Sequence, residues 1–152
     1  MSPCRHSRRQ PADVEDAAAG MDQAGLEAWL RSHWPRFDDI MAIEELAPGR
    51  ARIRLFAAPR HGRPGGTVAG PSMMMLADTA IYAAILAQDA AATDAVTSSF
   101  HMCFLRRPAL KDVLAEAEML RTGRRLLVGE VRLYTDGEAD AVAQATVSYA
   151  RP

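Results

Sequence analysis

The chain has few cysteines, few histidines and almost no net charge, and each shortage excludes a class of function. Its two cysteines, Cys4 and Cys103, lie far apart in sequence and form neither a disulfide framework nor a paired metal-ligand motif. None of its four histidines is spaced to share a helical face with another, so we predict no bound metal. Its 18 basic and 19 acidic residues leave a formal net charge of -1, which argues against a nucleic-acid partner.

The amino-terminal stretch lacks the apolar periodicity of a folded element. Arg8 and Arg9 are not followed by the apolar run that an export signal requires, so residues 1–20 are predicted to form a disordered tail. We expect a cytoplasmic protein, since a reducing compartment suits the cysteine content. The longest apolar run, Pro71 to Ala87, is at the lower edge of membrane-spanning length. It contains Asp78, which favours a buried helix in a soluble protein and no membrane partner.

A length of 152 residues and a hydrophobic content of 49% suit one domain with a substantial core. After the tail, residues 21–38 are predicted to form a short amphipathic helix and a connection, and residues 39–152 the main domain. Apolar and aromatic side chains recur in the first part at the spacing of one helical face: Leu26, Trp29, Leu30 and His33. This helix is expected to act as a lid or brace.

Six runs of alternating apolar and polar residues predict strands. The first two form a hairpin around Pro48-Gly49, and the second of them is basic on one face. The other four follow the apolar helix at 95–105, 112–120, 124–135 and 140–150. Short turns favour antiparallel pairing, and the apolar helix then packs on one face of a curved sheet. The predicted fold class is therefore α+β, with the helix wrapped on most of its sides.

Asp78 is a lone carboxylate inside the apolar run, and its position needs an explanation. A carboxylate removed from water is costly unless it is paired, hydrogen-bonded or neutralised. One explanation is structural, with donors from Thr79, Ser98 or the backbone capping the carboxylate. The explanation we favour is catalytic, because ionisable groups in apolar surroundings concentrate at functional sites.

These features together resemble one family. A Pro-Gly-Gly loop, then Gly70, a buried helix with Asp78, the strand VTSSFHMCFLRRPA and a terminal pair of strands are similar to the hotdog-fold acyl-CoA thioesterases. Within the 4-hydroxybenzoyl-CoA thioesterase superfamily, the similarity is to the phenylacetic-acid-degradation type, PaaI-like, over Ile40 to Tyr149. The resemblance implies a curved antiparallel sheet wrapped around a long central helix. It also implies dimers, or dimers of dimers, whose sheets join edge to edge and bind acyl-CoA at the subunit interface.

The resemblance assigns three catalytic roles. Asp78 matches the helix-borne acid that acts as nucleophile or as base toward water, and Gly70 matches the glycine whose backbone N–H polarises the thioester carbonyl. Thr97 matches a hydroxyl that orients the water or the carboxylate. Eight residues, about 12 Å along a helix axis, separate Gly70 from Asp78, so one chain cannot easily supply both groups to one reacting centre. We therefore expect a site shared across a dimer interface. Coenzyme A is part of the substrate, and no separate cofactor is expected.

The chain departs from the family pattern at two places. Ala69-Gly70-Pro71 stands where many members have His-Gly-Gly, and Arg63 lies near a position often held by Asn or His. We expect Ala69 to lie at the substrate, and Arg63 to donate to the thioester carbonyl or to bind a phosphate or an acidic acyl group.

Three further residues are predicted to bind substrate. Arg106 and Arg107 precede Pro108 at a strand end, where they are expected to meet the phosphates of coenzyme A, although a solvated turn explains them equally well. Met74 belongs to a run of three methionines whose flexible side chains suit varied acyl groups, although core filling is the commoner role.

The predicted function is thus hydrolysis of an acyl-CoA thioester, and three rivals remain. A hydratase or dehydratase needs a His with an acid at its pocket, and the helix around Asp78 contains no His. A non-catalytic acyl-CoA binding protein is favoured by the lost His-Gly-Gly pattern, and a purely structural interaction module binds neither substrate nor product. A Cys-His pair is not assigned, because Thr97, Ser99, His101 and Cys103 share a strand face through ordinary alternation.

Overall fold

The computed structural model describes residues 19–152, and three α-helices, two short 3-10 helices (Pro59–His61 and Ala92–Asp94) and eight strands lie in this range. The helices are α1 (Gln23–His33), α2 (Phe37–Ile40) and α3 (Gly70–Gln88). The strands are β1 (Met41–Ala47), β2 (Arg50–Leu55), β3 (Gly62–Arg63), β4 (Thr67–Val68), β5 (Val96–Phe104), β6 (Val113–Thr122), β7 (Leu126–Thr135) and β8 (Ala141–Ala150). The predicted tail, residues 1–20, falls outside the described residues except for Ala19 and Gly20.

Six of these strands form one antiparallel sheet, as predicted, and their order in it is β1-β2-β6-β7-β8-β5. β1 and β5 are its edge strands. The first hairpin turns at Pro48-Gly49, where Gly49 has a φ of 72°, a value that favours glycine. The loop before α3 contains a feature that was not predicted, a small hairpin of β3 and β4. Each of its strands has two residues, too few to produce a recognisable alternation.

Helix α3 packs against the inner face of the sheet, mainly on β2, β6 and β7. Its small apolar residues allow close packing, and the residues buried there include Leu76, Ala80 and Ala84. One stripe along the helix stays half-buried or exposed: Pro71, Met74, Met75, Asp78, Thr79 and Tyr82. These positions recur at spacings of three and four, so they occupy a single face. The expectation of a helix wrapped on most sides is thus incomplete, because the sheet curves around one side and leaves this stripe accessible in a single chain.

Helix α1 joins the same hydrophobic core as the sheet and α3. Its N-cap is Asp22, whose Oδ1 accepts a 2.8 Å hydrogen bond from the Gly25 N–H, and Leu26 and Leu30 are its buried residues. The preceding residues lie against the end of α3. The Met21 N–H donates to the Leu86 carbonyl at 2.8 Å, and a Cβ on Gly20 would lie 1.8 Å from the Ala87 carbonyl oxygen. Gly20 and Met21 are therefore fixed to the carboxyl-terminal end of α3.

By length and composition, α3 could also span a membrane, with 19 residues and a mean hydropathy of 1.3 over its most apolar window. In the fold, 56% of that window is buried inside the protein. The apolar composition of α3 is explained by its place at the centre of the core.

Helix α3 lies close to the sheet at Gly129 of β7, and this contact generates a stability prediction. A Cβ at this position would lie 2.6 Å from Ile81 Cδ1 and 3.0 Å from the Glu118 carbonyl oxygen. Gly129→Ala should therefore lower the free energy of unfolding by about 1–3 kcal/mol, the usual cost of overpacking a core, although alanine suits a strand better than glycine. Chemical denaturation measures the change.

Ile81→Val provides the matched test, since it removes the clashing Cδ1 atom. The double variant should cost less than the sum of the two single variants, with the Glu118 carbonyl accounting for the remainder. Strict additivity, or a stabilised Gly129→Ala protein, would show that this contact does not set the distance between helix and sheet.

Candidate active site

The Asp78 carboxylate lies half-buried on the accessible stripe of α3, held by two hydroxyl groups. Thr97 Oγ1 and the Tyr149 hydroxyl each donate to Asp78 Oδ1 at 2.8 Å. No hydrogen bond reaches Oδ2 from the residues of the described range. One oxygen of the carboxylate is therefore fixed, and the other is available to a ligand or water molecule.

Thr97 reaches Asp78 because β5 contains a bulge. Thr97 pairs with Tyr149 and the next paired residue, Ser99, with Ser148, so one residue is inserted between these pairs. The inserted residue shifts the alternation of β5 by one position. Thr97 therefore lies on the inward side of the sheet, as do Phe100 of the same strand and Val147 of β8. The expectation that Thr97 shares a face with Ser99, His101 and Cys103 is therefore wrong.

Tyr149 is the site residue that sequence reasoning missed. It is buried on β8, with 4% of its surface exposed, and burial together with the nearby Asp78 carboxylate raises the pKa of its hydroxyl. The phenol therefore keeps its proton and remains a donor. A signal was present in the sequence, because Tyr149 continues the inward alternation of Ala143, Ala145 and Val147 with a polar-tipped side chain.

The structural caps considered for Asp78 bind elsewhere. Thr79 Oγ1 donates to the Met75 carbonyl at 2.8 Å, and Ser98 Oγ donates to the Ser148 carbonyl at 3.2 Å. The donors that Asp78 does receive come from β5 and β8, far from it in sequence. They connect the helix to two strands of the sheet.

Asp78 lines a cavity of about 310 Å³ between α1 and α3. The other lining residues are Trp29, Leu30, His33, Trp34, Thr79, Tyr82, Thr93 and Tyr149. His33 Nδ1 lies 2.9 Å from the Trp29 carbonyl oxygen and 2.8 Å from Ser32 Oγ. A histidine thus lines the same cavity as Asp78 although α3 contains none, and the sequence argument against a hydratase loses its basis. Nothing in the spacing of His33 and Asp78 indicated that they share a cavity.

A second cleft, of about 610 Å³, lies at the amino-terminal end of α3. Its lining brings together four predicted site residues: Arg63, Gly70, Arg106 and Arg107. The Ser72 and Met73 N–H groups both donate to the Ala69 carbonyl, and Pro71 has no N–H. Within the described chain, the Gly70 N–H is the one amide of this first turn without an acceptor. It is a free donor at the positive end of a 19-residue helix.

The three arginines of this cleft differ in the contacts that they make with other residues. Arg107 Nη2 donates to the Gly65 carbonyl at 2.8 Å and so holds the β3–β4 hairpin against the cleft. Arg106 lies 3.7 Å from Asp140, a long and exposed ion pair. Arg63 is exposed and forms no salt bridge with any residue in the described range. Among the described residues, the lining of the cleft includes these three cations and no acidic side chain.

The remaining predicted binding residues line neither cavity. Ala69 is the N-cap of α3, and its N–H donates to the His61 carbonyl at 2.8 Å. Met74 is 40% exposed on the accessible stripe, between the two cavities along α3. Gly70 and Asp78 themselves line different cavities, so a single chain does not bring them together.

His61 lies in the loop that leads to the cleft, and it was not singled out from the sequence. It is buried, and burial first, with the neighbouring Arg60 second, lowers the pKa of its imidazole. Its Nδ1 accepts from the Ala58 N–H at 3.2 Å, while its carbonyl accepts from the Ala69 N–H. This neutral histidine fixes the loop onto the start of α3.

The fold and the two cavities can be compared with known proteins. A sequence profile of the thioesterase superfamily matches residues 65–142, more than half of the chain. The chain belongs to this superfamily. The match includes Gly70, Asp78 and Thr97, but it excludes α1 and Tyr149. No curated protein sequence matches the chain.

Solved structures place this superfamily member among hotdog-fold proteins. A proposed thioesterase from Silicibacter sp. is 37% identical, with a TM-score of 0.79 over 91% of this chain and 96% of its own. A mutant of the phenylacetic acid degradation protein PaaI from Thermus thermophilus is 27% identical, with a TM-score of 0.67 over 78% and 99%. A hypothetical thioesterase from Streptococcus pneumoniae, determined with coenzyme A, is 18% identical, with a TM-score of 0.67 over 74% and 85%. The predicted hotdog fold and its PaaI-like relationship are confirmed.

The buried hydroxyl of Tyr149 predicts a dependence of stability on alkaline pH. In the folded thioesterase-superfamily protein its raised pKa keeps it protonated, whereas in the unfolded chain it ionises near pH 10. Its contribution to stability is therefore complete below pH 10 and is lost as pH rises above that value, at up to about 1.4 kcal/mol per pH unit. Tyr149→Phe should remove this part of the loss.

Urea denaturation of both proteins at pH 7, 9, 10 and 11 tests this prediction. The difference in unfolding free energy between them should shrink, or reverse, only in the samples above pH 10. If the unfolding free energies of the two proteins change in parallel up to pH 11, the fold does not raise the pKa of the Tyr149 hydroxyl.

Proposed function

We propose that the protein hydrolyses an acyl-CoA thioester at a site formed by two copies of the chain. The observation that supports this most directly is the Asp78 carboxylate, whose Oδ1 is held by Thr97 and Tyr149 while Oδ2 accepts no hydrogen bond in the described chain. A carboxylate oriented in this way can act on a reacting group at its second oxygen. Membership of the thioesterase superfamily supplies the reaction class.

The proposed reaction uses Asp78 as a base. Oδ2 accepts a proton from water, and the water oxygen bonds to the thioester carbonyl carbon. The carbonyl electron pair moves to oxygen, and this oxyanion accepts a hydrogen bond from a Gly70 N–H. Re-forming the C=O bond breaks the C–S bond, and the coenzyme A thiolate leaves with the proton that Asp78 returns. Direct attack by Asp78, followed by hydrolysis of the anhydride, uses the same groups.

The cleft at the start of α3 is the proposed site for the coenzyme A phosphates. Arg63, Arg106 and Arg107 line it, and guanidinium groups bind phosphate through paired charge-assisted hydrogen bonds. The coenzyme A found with the Streptococcus pneumoniae protein shows that a protein of this fold accommodates the ligand. The proposed role of Arg107 includes holding the hairpin as well as binding phosphate.

The need for two chains follows from the positions on α3. Gly70 and Asp78 are eight residues apart, about 12 Å along the axis, and they line different cavities. The edge strand β5 is the proposed contact, because it has an unpaired side and exposes Val96 and Phe104 at 62% and 52%. Pairing two β5 strands about a two-fold axis would produce the edge-to-edge dimer, or half of a dimer of dimers.

Asp78→Asn tests the catalytic role. The amide oxygen of asparagine can still accept from Thr97 and Tyr149, so the fold should be retained. Release of free coenzyme A from a panel of acyl-CoAs, followed with a thiol reagent, should fall at least about 100-fold, while acyl-CoA binding persists.

Thr97 offers a matched pair of control variants. Thr97→Ser keeps the hydroxyl donor and should retain most activity, whereas the isosteric Thr97→Val should lower it. A wild-type protein that binds acyl-CoA without releasing coenzyme A would favour the non-catalytic binding protein. Full turnover in folded Asp78→Asn would remove Asp78 from the mechanism.

Mixing two inactive variants tests whether the site is shared. Gly70→Pro removes the free N–H, which has no acceptor within the described chain, so the substitution breaks no observed hydrogen bond. The Gly70→Pro and Asp78→Asn proteins should each be inactive. In their heterodimer one site carries both changes and the other carries neither, so about half of full activity per heterodimer should return.

Gly70→Ala is the control for this experiment, since it keeps the N–H and adds only a methyl group. That methyl would lie 3.2 Å from the Phe104 ring, which is 52% exposed in the single chain but belongs to the proposed β5 contact. Activity should persist in the Gly70→Ala protein once its dimer is confirmed. Heterodimers are confirmed by native mass spectrometry after subunit exchange. Confirmed heterodimers without activity would reject the shared site.

A further inference from the structure

We infer that the acyl group of the substrate occupies the cavity between α1 and α3, so that helix α1 selects uncharged, apolar acyl groups of limited size. This inference rests on the proposed function, because it takes Asp78 as the group that acts on the thioester. The observation behind it is the place of Asp78 in the wall of a cavity whose other walls are largely aromatic.

The direction of the acyl group follows from the two ends of the thioester. The carbonyl carbon, or the water that attacks it, must lie within hydrogen-bond reach of Asp78, so the acyl chain begins at this cavity. The coenzyme A end is drawn toward the arginine cleft, where no acidic side chain is present among the described lining residues. The cavity beside Asp78 is then left for the acyl part.

The lining of the cavity determines the class of acyl group. Trp29, Leu30, Trp34 and Tyr82 provide apolar surface, and no arginine or lysine of the described chain lines the cavity. An acyl group with its own carboxylate would meet the charge of Asp78 without a compensating guanidinium. The volume of about 310 Å³ is about ten times the space of one water molecule, which suits an acyl chain of short or medium length.

The walls are held in place by contacts between lining residues and by one contact to Phe37. The Trp29 ring packs on His33 with centroids 3.8 Å apart and planes tilted by 33°, and the Trp34 ring meets Phe37 edge-on at 5.8 Å. The Tyr82 hydroxyl donates to the Thr93 carbonyl at 3.0 Å. A cavity with fixed walls can discriminate by size, because a misfitting chain must displace packed side chains.

The experiment uses one variant that enlarges the cavity and one that fills it. Trp29→Ala should raise the ratio of kcat/KM for decanoyl-CoA over butyryl-CoA at least tenfold. Thr93→Leu, which adds bulk at another residue of the lining, should lower the same ratio. The two shifts have opposite signs, so a general loss of folding cannot imitate both.

Two comparisons complete the test. In the wild type, succinyl-CoA should be hydrolysed at least tenfold less efficiently than butyryl-CoA, which has the same chain length without the carboxylate. Leu120→Ala removes an exposed leucine at the far end of β6 and should leave the decanoyl-to-butyryl ratio unchanged. Wild-type protein that releases no coenzyme A from any substrate would overturn the proposed function. Turnover with an unchanged ratio in Trp29→Ala and Thr93→Leu would overturn the assignment of this cavity.

Discussion

The two hydrogen bonds that fix Asp78 Oδ1 are the constraint on which the candidate site depends. Thr97 belongs to the edge strand β5 and Tyr149 to its neighbour β8, so the bonds fasten α3 to the end of the sheet where β5 is unpaired. They orient the carboxylate and leave its second oxygen open. They also satisfy a partly buried charge that would otherwise oppose the packing of the helix. The packing of the helix and the proposed chemistry therefore involve the same three side chains.

The architecture could be predicted from sequence because it depends on local patterns. The period-two alternation of the six strands, the turn at Pro48-Gly49 and the continuous apolar run of α3 each follow from a few neighbouring residues. Asp78 could be found because a charge inside an apolar run is visible without any tertiary information. The β3–β4 hairpin was missed because two residues are too short to show a period.

The rest of the site depends on contacts between distant residues. Tyr149 lies 71 positions after Asp78, and no pattern in its own strand indicates which residue its hydroxyl contacts. The cavity around Asp78 depends on α1, whose amphipathic pattern indicates a buried face but not the surface it covers. Thr97 was assigned through family resemblance, yet simple alternation placed it on the wrong face. Local pattern thus predicts elements and single unusual residues, while the geometry of the site comes from packing between elements.

The bulge in β5 determines which side chains of this strand lie on the same side of the sheet. One inserted residue between Thr97 and Ser99 lets the strand present Phe100 and Thr97 to the same side of the sheet. If β5 paired with β8 without this bulge, Phe100 and Met102 would keep their side of the sheet, but the hydroxyl of Thr97 would turn to the opposite side. The way in which the strand accommodates one extra residue therefore separates the fold from the geometry of the candidate site, without a change in any side chain.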